Sequence, residues 1–312
     1  MNAVEFGLLL PNSSPHAGGV SIAEILALAR RAEAAGFESL WAGDHLVWPI
    51  PNLDVFSILT AVALKTTRVR VGPCVLLLPL RHPLLVAQMV QTLDIISGGR
   101  VIVGIGTGGE RQEEFETLGV PVSERGSRTT EALHVLRRLW TEPRVTHRGR
   151  HFRLVDVPLE PKPLQHPHPP IWVGGRSAGA RQRAARLGDG WIPAFVTPDM
   201  YREGWDDLAT RAAAEGRDPG KITRALLVFV SAGPSRDRAR EGAANHMEGF
   251  YRIPFERFAR FVVFGTPGEC LDRLFAFTEV GVEHFVFILA SPNPRAMLDI
   301  FVEHLLPGLR HP

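Results

Sequence analysis

Eight short apolar runs, each followed by a stretch with helical periodicity, recur from one end of this chain to the other. The runs are Val4–Leu10, Ser39–Ala42, Val69–Leu77, Val101–Ile105, Ile171–Val173, Gly190–Pro193, Ala225–Ser231 and His284–Leu289. They are apolar on successive residues rather than alternating, as strands covered on both faces must be. Strand followed by helix, repeated, predicts a parallel sheet. Eight such units close a (β/α)₈ TIM barrel, so the chain is expected to be one α/β domain over residues 1–312. An open doubly wound sheet shares the alternation and is the structural alternative.

The helix boundaries carry chemical signals. Ser21 with Glu24, and Thr266 with Glu269, have the spacing of a capping box. Pro83 opens a helix that runs to Ser97 and stops at Gly98-Gly99, the usual Pro-first, Gly-last asymmetry. Further helices are expected over Asp54–Thr66, Glu113–Leu118, Ser123–Trp140, Ala178–Leu187, Pro198–Glu215 and Pro294–Leu305. Two segments break the rhythm. Residues 142–169, after the fourth helix, are rich in Pro and His and predict an insertion with a hairpin, Val145–His147 against His151–Leu154 around Gly149. From Arg236 a helical pattern continues brokenly to Phe261.

Composition narrows the partners. The formal charge is +2 and no Lys/Arg run exceeds a pair such as Arg30-Arg31, so nothing points to nucleic acid. Cys74 and Cys270, far apart in sequence, fit a reducing compartment and make no metal spacing. His166 and His168 lack a carboxylate or Cys partner, so no metal site is expected. No apolar stretch reaches the roughly 18 residues of a membrane span, and the expectation is a soluble, cytoplasmic protein.

In a barrel of this type chemistry sits where strands end and helices begin. The second strand ends in Trp41-Ala-Gly-Asp44-His45-Leu-Val-Trp48-Pro49. His45 there can exchange a proton near neutral pH, with Asp44 fixing its tautomer. Equally, Asp44 can cap a backbone group and His45 can be a satisfied structural residue. The fourth strand runs into Gly104-Ile-Gly106-Thr107-Gly108-Gly109-Glu110, a GxGxxG match. Glu110, Glu113 and Glu114 sit where a pyrophosphate would have to lie, which argues against a dinucleotide fold. These glycines instead allow close approach of a flat ligand, with Glu110 projecting into the mouth; a plain tight turn is the alternative. After the fifth strand, Gly174-Gly175-Arg176-Ser177 leads into a helix and offers backbone N–H groups, a guanidinium and a hydroxyl to an anion. A left-handed turn with a Ser cap explains the same residues without a ligand. Arg81 and His82, after the third strand, either line the mouth or pack against neighbouring loops. No GxSxG elbow is present, so the sequence gives no support to a serine hydrolase.

The runs FESLWAGDHLVWP, LRHPLLVAQMVQTLDIISGGRVIVGIGTGG, EEFETLGVPVSERGSRTTEALHVLRRLW and PPIWVGGRSAGARQRAARLGDGWIP together resemble the luciferase-like monooxygenase superfamily, most closely its F420-dependent oxidoreductase branch. The resemblance is tight over roughly residues 4–195 and looser beyond. It implies a (β/α)₈ barrel, a homodimer, and coenzyme F420 or alternatively FMN lying across the ends of the second to fourth strands with its phosphate near the fifth. Carried over by residue, it implies cofactor contacts at Asp44, Cys74, Val75, Gly106, Thr107, Gly108, Gly174, Gly175, Arg176 and Ser177, with His45 and Glu110 as catalytic candidates. It also implies a non-prolyl cis peptide at Cys74–Val75. In F420-dependent sugar-phosphate dehydrogenases a Trp follows the His of the DH motif by four residues; here Trp48 follows His45 by three. The implied activity is hydride exchange between F420 and a small organic substrate, with FMN-dependent oxygenation as the second possibility.

Overall fold

The apolar runs do become strands, and the order in which they pair decides between barrel and open sheet. The computed structural model describes residues 4–14 and 21–310. In chain order the elements are β1 (Glu5–Leu10), α1 (Ile22–Ala35), β2 (Ser39–Ala42), α2 (Val55–Lys65), β3 (Arg70–Pro73), β4 (Leu76–Leu77), α3 (Pro83–Ser97), β5 (Val103–Gly106), α4 (Gln112–Thr117), α5 (Arg125–Thr141), β6 (Arg144–Arg148) and β7 (Arg153–Pro158). The second half continues with β8 (Ile171–Gly174), α6 (Ala178–Leu187), β9 (Gly190–Ile192), α7 (Pro198–Ala214), β10 (Thr223–Ala232), α8 (Arg236–Tyr251), β11 (Val263–Gly265), α9 (Pro267–Glu279), β12 (His284–Leu289), α10 (Pro294–Ile300) and α11 (Leu306–Arg310).

The main sheet runs β3-β2-β1-β12-β10-β9-β8-β5-β4. Its ends, β3 and β4, are two halves of the one expected third strand, separated by Cys74–Val75, which is cis. β3 pairs with β2 on one side and β4 with β5 on the other, and a parallel bridge between Val71 and Val101 joins β3 to the approach to β5. The sheet therefore closes on itself, as the alternation of strand and helix predicts for eight units.

Local chemistry explains the helix ends. Thr266 and Glu269 form a reciprocal capping box, and at Ser21 the hydroxyl accepts from the Glu24 N–H at 3.3 Å. Gly36 and Gly98 end α1 and α3 in the left-handed region, where a Cβ is disfavoured. Residues 142–169 contain the antiparallel pair β6–β7, closed by the Gly149 N–H on the Phe152 carbonyl at 3.0 Å. Glu131 of α5 holds this hairpin by accepting from the His151 and Phe152 N–H groups and facing His147 at 3.0 Å.

Three expectations need correction. Val263–Gly265 is a strand, β11, paired with the last residues of β10, where the sequence assigns no element between the broken helical region ending at Phe261 and the capping box at Thr266. A three-residue apolar run is too short for period two to be told from a helical turn. His151 lies in the hairpin turn, and the second hairpin strand starts at Arg153. The last helix does not stop at Leu305: a wider turn over Phe301–Leu305 leads into α11, just before Pro307, whose missing N–H removes a rung of the ladder.

The N-terminal end of the barrel is plugged. Trp41 and Trp172 lie with ring centroids 5.2 Å apart, and His284 meets the Trp172 ring edge-on at 4.9 Å. His284 bridges Glu5 through Nδ1 and the Ser39 hydroxyl through Nε2, both at 2.8 Å, and the Trp41 indole N–H donates to the same hydroxyl at 2.7 Å. These three residues have the order of a catalytic Ser-His-acid chain, but Ser39 is completely buried, so they serve as a polar stopper in the core. Among the described residues, the C-terminal end of the strands is the end of the barrel that opens to a cavity. Among the described residues no helix is long and apolar enough to cross a membrane.

Candidate functional site

A cavity of about 370 Å³ opens at the C-terminal ends of the strands. It is lined by Asp44, His45, Cys74, Val75, Gly106, Thr107, Gly108, Glu110, Gly174, Gly175 and Arg176. These are the residues singled out in the sequence from four separate loops, except Ser177. Ser177 instead caps α6, its hydroxyl accepting from the Ala180 N–H at 3.2 Å.

His45 follows β2 and is fixed from two sides. Its Nδ1 lies 3.4 Å from Glu114 Oε2, and the Trp48 indole stacks on it at 3.8 Å between centroids. Glu114, from α4, also accepts from the Leu46 and Val47 N–H groups at 2.8 and 3.2 Å. Burial alone would raise the Glu114 pKa, but the His45 contact and the two N–H groups outweigh it and hold the carboxylate below its usual range. The loop is thus built around a buried anion placed beneath the imidazole. Asn12, at the end of β1, anchors the base of the same loop by donating to the Gly43 carbonyl at 2.8 Å and accepting from the Gly43 N–H at 2.9 Å.

Asp44 does not orient His45. Both its oxygens are taken by Arg81, at 2.6 and 2.8 Å, and Oδ2 also accepts from the Leu77 N–H at 2.8 Å. It ties the end of β2 to β4 and the following turn, so Arg81 is a structural partner and Glu114 takes the tautomer-fixing role considered for Asp44. His82 caps α3, its Nδ1 accepting from the Leu84 N–H at 3.2 Å.

Backbone forms the next wall. Val75 projects between Gly106 and Gly174; a Cβ at Gly174 would stand 3.0 Å from Val75 Cγ1, and one at Gly106 would collide with the same side chain. Gly108 and Gly109, with φ of 60° and 106°, turn the chain so that its backbone faces the cavity. Cys74 is buried, and burial pushes its thiol far above the ordinary range, so it is present as an uncharged wall. Glu110 stands at the mouth: solvent reaches it, yet protein surrounds much of its carboxyl. Burial raises its pKa, His45 opposes the rise, and Glu114 adds to it.

The end of the cavity that could hold an anion is the start of α6. Gly175 has a φ of 97° and, with Arg176 and Ser177, is exposed at the start of this ten-residue helix. The first N–H groups of a helix have no partner within it and carry partial positive charge. Arg176 donates to the Phe195 carbonyl and lies 5.4 Å from the Phe261 ring centre. An apolar slot with this end suits a flat ring bearing a phosphate tail. Among the described residues no three His, Cys, Asp or Glu side chains are grouped to hold a metal.

The sequence reading missed the opposite wall. Phe195 and Phe229 come from the ends of β9 and β10, and His246, Phe250 and Tyr251 from α8. Their spacing on α8 was visible as a helical pattern, but nothing in it showed that this face turns toward the barrel mouth. In the sequence Asn12 carries no functional signal, and Glu114 reads only as a charge unfavourable to phosphate.

Known proteins resemble this chain along nearly its whole length. The luciferase-like monooxygenase family profile matches residues 4–256. An F420-dependent glucose-6-phosphate dehydrogenase of Beutenbergia cavernae is 32% identical, covering 92% of this chain and 93% of its own; that of Microbacterium testaceum is 30% identical with the same shares. Among solved structures, an F420-dependent secondary alcohol dehydrogenase in complex with an F420-acetone adduct superposes with a TM-score of 0.87, at 24% identity over 99% of both chains. The monooxygenase RslO1 from Streptomyces bottropensis superposes with a TM-score of 0.84 at 25% identity, over 97% of this chain and 99% of that one. A closed barrel with its pocket at the strand ends, a family match over most of the sequence and relatives that share nearly its full length lead to one assignment: the chain belongs to the luciferase-like monooxygenase family.

Proposed function

We propose that this protein is an F420-dependent oxidoreductase acting on a small organic substrate, with His45 as the group that holds and releases the substrate proton. The observation that carries the reading is the position of His45 at the cavity wall, backed by Glu114 at 3.4 Å and stacked on Trp48 at 3.8 Å. F420, when bound, supplies a two-electron acceptor or donor at one carbon of its ring. Val75, Gly106, Thr107 and Gly108 would border the ring, and Gly174, Gly175 and Arg176 with the first turn of α6 would take the phosphate. His45 faces the same cavity and can exchange a proton with a substrate hydroxyl or carbonyl oxygen, while Glu114 fixes the orientation of the imidazole. Glu110 stands at the mouth to assist or to bind substrate.

Replacing His45 with Ala is expected to lower kcat at least about 100-fold, the usual size of an acid–base contribution, while the F420 dissociation constant changes little. Equal losses in both would remove the proton role. A second reading is oxygenation with FMN in place of F420, its oxygenase part supported by the likeness to the monooxygenase RslO1. Dissociation constants for F420 and FMN on the same purified protein separate the two, and a protein that prefers FMN overturns the first.

A further inference from the structure

Resting on that reading of the cavity, we propose that its substrate side receives an uncharged alcohol or ketone carrying a flat apolar ring, and not a phosphorylated sugar. Starting from His45, an unbroken series of rings crosses the mouth. Trp48 stacks on His45, Phe250 lies 5.3 Å from Trp48, and Tyr251 lies 4.9 Å from Phe250. Phe195 continues the series at 5.8 Å from Tyr251 and stacks on Phe229 at 5.3 Å. His45, Phe195, Phe229, Phe250 and Tyr251 all line the cavity, so the group that exchanges the proton stands at the polar end of an aromatic wall. Phe195 is held there in the left-handed region, with φ of 53°, a conformation unusual for an aromatic residue, and Arg176 binds its carbonyl.

The charges point the same way. The whole chain has three lysines: Lys65 and Lys221 lie at the opposite end of the barrel, and the Lys162 ammonium is bound to the Leu139 and Glu142 carbonyls. Residues 15–20 contain neither Lys nor Arg. Among the described residues Arg176 is the one Lys or Arg side chain lining the cavity, and it stands beside Phe195 and Phe261 at the end assigned to the cofactor phosphate. Arg81 is committed to Asp44, Arg111 lies over Trp48 at 5.7 Å and pairs with Glu113, and Arg125 stands behind Gly109 and donates to the Val122 carbonyl. A sugar phosphate would bring a dianion to a wall of rings beside Glu110 and Glu114. An arene would replace water on that wall and gain ring–ring contact.

The test is calorimetric titration of the protein loaded with F420, or with FMN if that is the cofactor it binds, using 4-phenylbutan-2-one and glucose 6-phosphate as probes. The ketone is expected to bind at least about tenfold more tightly than the sugar phosphate, and Phe250→Ala to weaken the ketone about tenfold, the scale of losing one ring contact and its buried area. The cofactor dissociation constant should stay within about twofold in that variant, since Phe250 is on the substrate wall. Phe250→Leu keeps the volume apolar without the ring and should fall between, which guards against a folding defect. Glucose 6-phosphate binding as tightly as the ketone, or unchanged ketone affinity in both variants, overturns the proposal. A protein that binds neither cofactor sinks the preceding reading alone; the ratio of the two probes on the unloaded protein still decides this one.

Discussion

The two acids nearest His45 are shifted in opposite directions by their surroundings. Glu114 is buried beneath the loop yet kept ionised by N–H groups and the imidazole, whereas Glu110, crowded but unsatisfied, holds its proton to a higher pH than a free carboxyl. A carboxyl whose folded pKa is raised contributes stability below its unfolded value, 4.5, and loses it as pH rises through the folded value. Glu110→Gln is therefore expected to raise the melting temperature at pH 7 and to change it little near pH 4, where the carboxyl is mostly protonated. Thermal unfolding at the two pH values checks this; no gain at pH 7 would mean that the carboxylate is well solvated. Loop position and residue type made His45, Glu110 and the glycines readable from the sequence. The partner of His45 was not readable, because Glu114 lies 69 positions away and only the closed barrel brings α4 over the end of β2.

At the level of elements, the site depends on how strand ends are tied together. The Asp44–Arg81 pair is almost dry, with side-chain exposures of 2% and 12%, and it joins β2 to the turn after β4. Removing one charge of a buried pair leaves the other uncompensated, so Asp44→Asn is expected to lower stability by about 3 kcal/mol in denaturant unfolding. A loss below about 1 kcal/mol would place the pair with ordinary surface bridges. The strands and capped helices were legible because burial on both faces demands continuous apolar runs and because caps obey fixed spacings. β11 and the position of α8 were not. A short apolar run has no decisive period, and the amphipathic face of α8 is apolar whether it covers the outside of the barrel or its mouth.

For the molecule as a whole, acid should act first on the sealed end. The hydrogen bond from His284, with help from Arg70 and against the effect of burial, lowers the Glu5 pKa to about 2, while burial lowers that of His284. Both groups therefore bind fewer protons when folded than when unfolded. Stability contributed by His284 is lost as pH falls below 6.5, and that contributed by Glu5 as pH falls from 4.5 toward about 2. Urea midpoints should decline across this range, and Glu5→Gln should flatten the part below 4.5; an unaltered slope would show that other carboxylates dominate acid unfolding. At the other end, the packing of α8 has a different consequence. Ala239, Ala243 and Met247 pack with Phe255, Val262 and Phe264 in a small core distinct from the large one that surrounds the barrel. A change of residue on the ring-bearing side of that helix is thus absorbed within its own satellite core. Evolution can retune which molecules this scaffold accepts while the cylinder, and the proton-handling histidine at its rim, go on folding as before.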